Sequence, residues 1–267
     1  KAETNSTANV DEESIFQELL FAHAEGSVRL KAEAFNLRSQ SLNYLPKENS
    51  LQASESVYYL SEFAQLSADE IVLKNEKLRA SSRQDLISVS LPKALDFGFN
   101  TINTPYESKD NDDVEMLIQS EVFCLDRDGP LIHSCFKHRV HAQQYSTELI
   151  AEELEIFWRE DLQSTVEPNR ERFVIQTALA TGSVEMTQGN FFASADRLSI
   201  FPEEERISLY GEEGTAQLKD YHGTVFGEHI DYNRRLKQSV VSGMGEASRA
   251  RIQFELPDRS SEDSLEE

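Results

Sequence analysis

The sequence offers few of the residues that usually do chemistry. Its 267 residues include two cysteines, three methionines and one tryptophan, and 26 lysines and arginines stand against 48 acids. A net charge of −22 with no basic stripe repels nucleic acid and anionic membrane surfaces, so nucleic-acid binding is not expected. No apolar run approaches the roughly 20 residues that cross a bilayer, and no basic-then-apolar leader precedes the body as given. Trp158, the sole tryptophan, is poor provision for the aromatic-lined cleft and paired carboxylates of a carbohydrate-active enzyme. Gly243-Met244-Gly245 lacks the lysine and helix of a phosphate loop, and no serine stands at a strand-to-helix elbow. No catalytic residue and no cofactor is therefore expected.

What the chain does contain is ordered alternation. In "GSVEMTQGNFFASADRLSIFPEEERISL", Val184 and Met186 share one parity, Phe191, Ala193 and Ala195 the other, and Leu198 and Ile200 return to the first. Polar pairs stand at the switches, where a helical stripe would break. Period-two alternation cut by short turns or bulges predicts short antiparallel strands with one dry and one wet face.

The same order stands 156 residues earlier, in "GSVRLKAEAFNLRSQSLNYLPKENSLQA". Without a gap, Val28 lies on Val184, Leu30 on Met186, Phe35 on Phe191, Leu42 on Leu198 and Pro46 on Pro202. This register predicts an internal repeat whose two copies fold alike. A shorter unit, a small residue, an acidic or polar pair and then alternating aliphatics, occurs at Ala68-Asp69-Glu70-Ile71, Ala151-Glu152-Glu153-Leu154, Ala195-Asp196-Arg197-Leu198 and, loosely, Gly227-Glu228-His229-Ile230. It reads as a strand entrance, and its uneven spacing favours many similar strands in one open or rolled sheet over a solenoid.

Polar, acid-rich ends at 1–13 and 257–267 read as flexible tails carrying about −3 and −4, which leaves the body roughly −15. A polar loop at 100–113 divides a first β lobe, 14–99, from a second, 114–256, although the sheet can continue across it; a weaker boundary falls at 161–171. A body of this length can bury about 70 to 75% of its unfolded surface.

Two constellations invite chemistry. Cys124 and Cys135 flank a turn-forming Asp-Arg-Asp-Gly-Pro, so a hairpin would set them on paired strands, as a disulfide or as two small buried hydrophobes. His133, Cys135, His138 and His141 fall within nine residues. On a strand His138 points away from the other three and no acidic support is evident locally, so no metal site is assigned.

The stretch "TGSVEMTQGNFFASADRLSIFPEEERISLYGE" with the following "GTVFGEHIDYNRRLKQSVVSG" resembles the OstA-like (organic-solvent-tolerance) family, which includes the periplasmic bridge and the membrane-anchored component of lipopolysaccharide transport in Gram-negative bacteria. The resemblance is best over 180–243, weaker over 24–80, and weak over 83–160. It implies an all-β, twisted, antiparallel half-open jellyroll, either as two halves in tandem or with a family-atypical insert over 83–160, in the periplasm, with or without a membrane anchor in a segment outside this chain. It further implies a non-enzymatic carrier that holds the acyl chains of lipopolysaccharide or another lipid on an apolar inner face and joins other jellyroll proteins of the bridge through its edge strands. The candidate lining is Val28, Leu30, Phe35, Leu37 and Leu42 in the first repeat and Val184, Met186, Phe191, Leu198 and Ile200 in the second. The same alternation also describes a closed core, and hence a structural or adhesive β module that binds protein partners by strand addition.

Overall fold

The computed structural model describes residues 21–91, 116–160, 173–242 and 251–254, apart from 33, 62–63, 76, 84, 130, 213–215, 221–222 and 237. The expected tails, the loop at 100–113 and the boundary at 161–171 lie outside these residues.

The described residues form 18 strands and no α-helix. In chain order the strands are β1 Ala22–Lys31, β2 Phe35–Leu45, β3 Ser50–Ser61, β4 Gln65–Lys74, β5 Lys77–Ser81, β6 Ile87–Leu91, β7 Met116–Ser120, β8 Val122–Asp128 and β9 Leu131–Gln144. They continue as β10 Thr147–Glu160, β11 Phe173–Gln188, β12 Phe191–Phe201, β13 Arg206–Tyr210, β14 Ala216–Asp220, β15 Gly223–Gly227, β16 His229–Asn233, β17 Gln238–Ser242 and β18 Arg251–Phe254. The all-β, antiparallel architecture expected from the alternation is the one observed. Burial follows the two-residue period directly, as in β6, where Ile87, Val89 and Leu91 are buried and Ser88 and Ser90 are half-buried.

The long strands are bent near their middles, and β10 against β11 has a second irregularity at Phe157/Trp158. Register shifts fall at Glu25/Val28 in β1, Arg38/Ser41 in β2, Ser54/Val57 in β3, Ala151/Glu153 in β10 and Thr181/Val184 in β11. In alternate strands the corner is a residue pair in the left-handed region: Glu55-Ser56, His138-Arg139 and Gly182-Ser183, with Gly26 at the corresponding place in β1. A bulge bends a strand and increases its local twist, so corners aligned across neighbours crease the whole sheet into two halves. Beyond the crease, β4 pairs with β5 on one half and β6 on the other, and β12 likewise divides between β13 and β14.

The pairing repeats with a step of eight strands. In the first unit β4 feeds β5 and β6, β6 pairs β7, β5 pairs β8, and β7 and β8 both pair β9. In the second, β12 feeds β13 and β14, β14 pairs β15, β13 pairs β16, and β16 and β15 pair β17 and β18. β17 and β18 thus stand where the first strand of a third unit would begin, split at the crease. The sheet also passes from β6 to β7, on either side of residues 92–115.

The repeat seen in the sequence is real at the level of the hairpin. Gly26 and Gly182 both bend their strands, and Pro46 and Pro202 both open a single 3₁₀ turn closed by a left-handed residue, Asn49 or Glu205, whose N–H donates to the proline carbonyl at 3.0 Å. This match sets β1–β3 on β11–β13, two strands out of step with the eight-strand unit. The short acidic unit is not a strand entrance. Asp69, Glu152 and Asp196 sit at the crease inside β4, β10 and β12, and Glu228 sits at the break between β15 and β16. Asp69 accepts from the Arg83 N–H at 2.8 Å and Asp196 from the Glu212 N–H at 2.7 Å, so each acid ties down the chain crossing from one half to the other.

Candidate functional site

The registers join strand to strand into two apolar rows, one on each half of the sheet. On one half the row runs Leu30, Leu37, Tyr59, Leu66, Val89, Ile118, Ala142, Leu149, Met186, Ala193, Leu218 and Val225. On the other it runs Ala24, Leu42, Ala53, Ile71, Ala80, Phe123, Phe136, Leu154, Ala180, Leu198, Leu209, Ile230 and Val241. Apart from the Tyr59 hydroxyl, neither row carries a polar side-chain atom. Each passes through both eight-strand units, so the dry face is continuous along the molecule. The halves face each other: Phe191 of one meets Tyr232 of the other with ring centroids 5.7 Å apart.

Burial along the rows is uneven. From Leu37 to Leu218 in the first row, and from Ala53 to Ile230 in the second, every residue is buried. Leu30 and Val225, and Leu42 and Val241, near the ends of the rows, are only partly covered. All ten candidate lining residues can be placed on this gradient. Val184, Met186, Phe191, Leu198 and Ile200, with Leu37, lie in the buried stretch, whereas Val28, Leu30, Phe35 and Leu42 are half-buried at the β1–β2 end. The inner face is thus sealed in the middle and accessible at the edge strands. The rows themselves are not visible in the sequence, because the pairings β5–β8 and β6–β7 link segments far apart in the chain.

The outer face carries ion pairs together with exposed apolar side chains such as Leu117, Ile150 and Phe157. Lys77 Nζ donates to Asp126 at 2.5 Å, Arg139 Nε to Glu121 at 2.6 Å, Lys137 Nζ to Glu153 at 3.5 Å and Lys74 Nζ to Glu48 at 2.9 Å. Asp126, as first cause, raises the Lys77 pKa. Glu25 does the same for His23, accepting from its ring at 3.0 Å. Ser208 donates to Asp231 Oδ1 at 2.7 Å and lies 2.8 Å from His229 Nε2, but its proton is directed at the carboxylate rather than the imidazole, which is not the arrangement of an activated nucleophile. No cluster of three metal-ligating side chains occurs among the described residues. The histidines of the His133–His141 stretch go separate ways: His133 stacks on Phe157 at 4.6 Å, His141 meets Glu148 at 2.7 Å, and His138 lies at the crease.

Cys124 and Cys135 are directly opposed on β8 and β9, as the hairpin reading requires, and both thiols are free.

The described strands form a creased antiparallel sheet built twice around one continuous apolar interior. Residues 118–238, from β7 to β17, match the model of the family described as "LptA/(LptD N-terminal domain) LPS transport protein", which is the kind of family that the sequence resembles. The match takes in residues 118–160, where the sequence pattern is weak. Among solved structures the chain is similar to LptH, described as the LptA-homologous periplasmic component of the conserved lipopolysaccharide transport device from Pseudomonas aeruginosa. The two are 13% identical, with a TM-score of 0.39, over 53% of this chain and 95% of that one. No curated protein matches. No helix among the described residues is long and apolar enough to cross a membrane.

Proposed function

We propose that this chain is a periplasmic component of lipopolysaccharide transport, with acyl chains held between the two apolar rows and the lipid entering at an edge. The observation that carries the proposal is the pair of unbroken rows, because a closed core needs apolar volume but no row that stays apolar from strand to strand along its half through both units. Leu30, Leu42 and Phe35 form the mouth at the β1–β2 end, and Val225 and Val241 lie near the opposite end. A chain entering there replaces water over half-covered side chains at about 25 cal/mol per Å² of apolar surface buried. Further inward, the two halves must part to make room.

Assembly follows from the same edges. Among the described residues β1 pairs only with β2 and β17 only with β16, so each presents an unpaired strand to a second jellyroll, and Val240 on β17 is 67% exposed. Joining β17 and β18 of one molecule to β1 of another would continue both rows.

The test is photo-crosslinking to purified lipopolysaccharide from benzoylphenylalanine placed at Leu30 or Leu42, with Ser90 on the outer face as control. Adducts at the two leucines and none at Ser90 are expected; equal labelling at all three positions, or none, overturns the reading. The buried middle of both rows favours one competing reading, a structural β module that binds proteins by strand addition, and that reading requires no lipid adduct at any position.

A further inference from the structure

The pair Cys124 and Cys135 stands apart from the lipid-facing interior. Their neighbours Phe123 and Phe136 meet inside the core with ring centroids 4.9 Å apart, so the alternation sends both thiols to the outer face. β8 closes the first eight-strand unit and β9 opens the second, which places the pair on the seam between units. In register, Arg79 flanks Cys124 on β5 and Glu155 flanks Cys135 on β10. Directly opposed residues of antiparallel strands hold their Cβ atoms about 4.5 to 5.5 Å apart, at the upper edge of what a disulfide spans.

The two thiols are not equivalent. Cys124 is half-buried and Cys135 is buried. Cys135 donates its thiol proton to Cys124, and Arg79 and Lys137 add positive charge, which together lower Cys124 to about 7 against the opposing effect of burial. The same hydrogen bond, with burial, pushes Cys135 up. The more exposed sulfur has positive charge beside it and is the one an oxidant reaches first, while the covered one stands directly behind it, the division of labour found in attacking and resolving thiols.

We propose that Cys124 and Cys135 form a redox-active cross-strand pair, Cys124 attacking and Cys135 resolving, whose oxidation fastens β8 to β9 at the seam between the two units. The Cys124 thiolate attacks one sulfur of a disulfide-bonded oxidant, forming a mixed disulfide and expelling one thiolate. Cys135 gives up its proton and attacks the Cys124 sulfur, closing the intramolecular bond and expelling the second thiolate. Two electrons pass to the oxidant, which leaves as two thiolates: one takes up the Cys135 proton and the other a solvent proton, equal to the one Cys124 released on ionising. The pair is independent of lipid binding.

The experiment exposes the reduced full chain to oxidised glutathione, quenches aliquots with acid and reads intact mass and peptide maps. The unmodified protein is expected to lose the mass of two hydrogens without lasting adduct, with early quenches showing glutathione on Cys124. Cys135→Ser should accumulate the adduct on Cys124, and Cys124→Ser should react at least about tenfold more slowly. Retention of two free thiols, a first adduct on Cys135, or equal rates in the two variants overturns the proposal. Early-quench mapping of the unmodified protein decides the order of attack even if a variant fails to fold.

Discussion

Trp158 donates its indole N–H to Ser134 Oγ at 2.9 Å, with both side chains fully buried. The two belong to neighbouring strands β10 and β9, and Ser134 is a polar residue in an interior of aliphatics and aromatics because a buried indole needs an acceptor. Ser134→Ala removes that acceptor at nearly constant volume and is expected to cost about 1 to 3 kcal/mol in chemical denaturation followed by circular dichroism. A loss below about 0.5 kcal/mol would mean that the indole finds a full substitute.

The crease gives a matched pair of glycines. Gly26 has φ +96° and open space where a methyl group would project, whereas Gly182 has φ +79° and an added Cβ would lie 2.7 Å from the Glu152 Cβ. Both alanine variants bear a conformational penalty of about 1 to 2 kcal/mol, and Gly182→Ala adds a collision between β11 and β10 worth roughly another 1 to 3. Gly182→Ala should therefore melt well below Gly26→Ala. Equal melting temperatures would show that Glu152 moves aside freely.

The burial gradient separates two substitutions that the sequence treats alike. Met186 is fully buried in the same row whose half-buried end is Leu30. Met186→Asp places a carboxylate where it must be desolvated or protonated, at a cost of several kcal/mol, and is expected to abolish the cooperative β signal. Leu30→Asp should keep that signal and weaken binding of a fluorescent acyl probe about tenfold or more, measured by titration. Unchanged probe binding in a folded Leu30→Asp would move the mouth elsewhere.

Alkylation reports the thiol asymmetry. With Cys124 at about 7, the rate of its modification by iodoacetamide in the reduced protein should rise with pH and reach half its maximum near 7. Replacing Cys135 by alanine removes the hydrogen bond that is the largest cause of the shift, so the half-point should move up toward the ordinary thiol range of about 8.5. A half-point that stays near 7 in Cys135→Ala would assign the shift to Arg79 and Lys137 instead.

Strand content and the match of the Gly26–Pro46 stretch to Gly182–Pro202 are legible in the sequence because alternation and a shared proline are local signals, whereas the corners at Glu55-Ser56 and His138-Arg139 carry no glycine to announce them. The acidic units mislead for a physical reason. A bulge at Asp69, Glu152 or Asp196 switches the parity of the side chains, and a parity switch in one continuous strand looks the same in sequence as the end of one strand and the start of the next. The order β4, then β5 and β6, then β7 and β8 is not legible at all. It depends on pairings such as Ile87 with Ser120 and Ser81 with Val122, which long-range packing selects and no local propensity encodes. Leu30 and Met186 share one facing in sequence and in structure, but their difference in cover comes from distance to the edge strands, which only the assembled sheet defines.

The position of β17 and β18, split at the crease where a third unit would open, makes the molecule a segment of a lattice in one dimension. Adding a unit lengthens the apolar track by a constant step and leaves its cross-section unchanged, so capacity along the axis scales with the number of units while the width available to any occupant does not. If the proposed function holds, an acyl chain on such a track would be selected by girth, at every step alike, and the length of the path could change without altering what it admits.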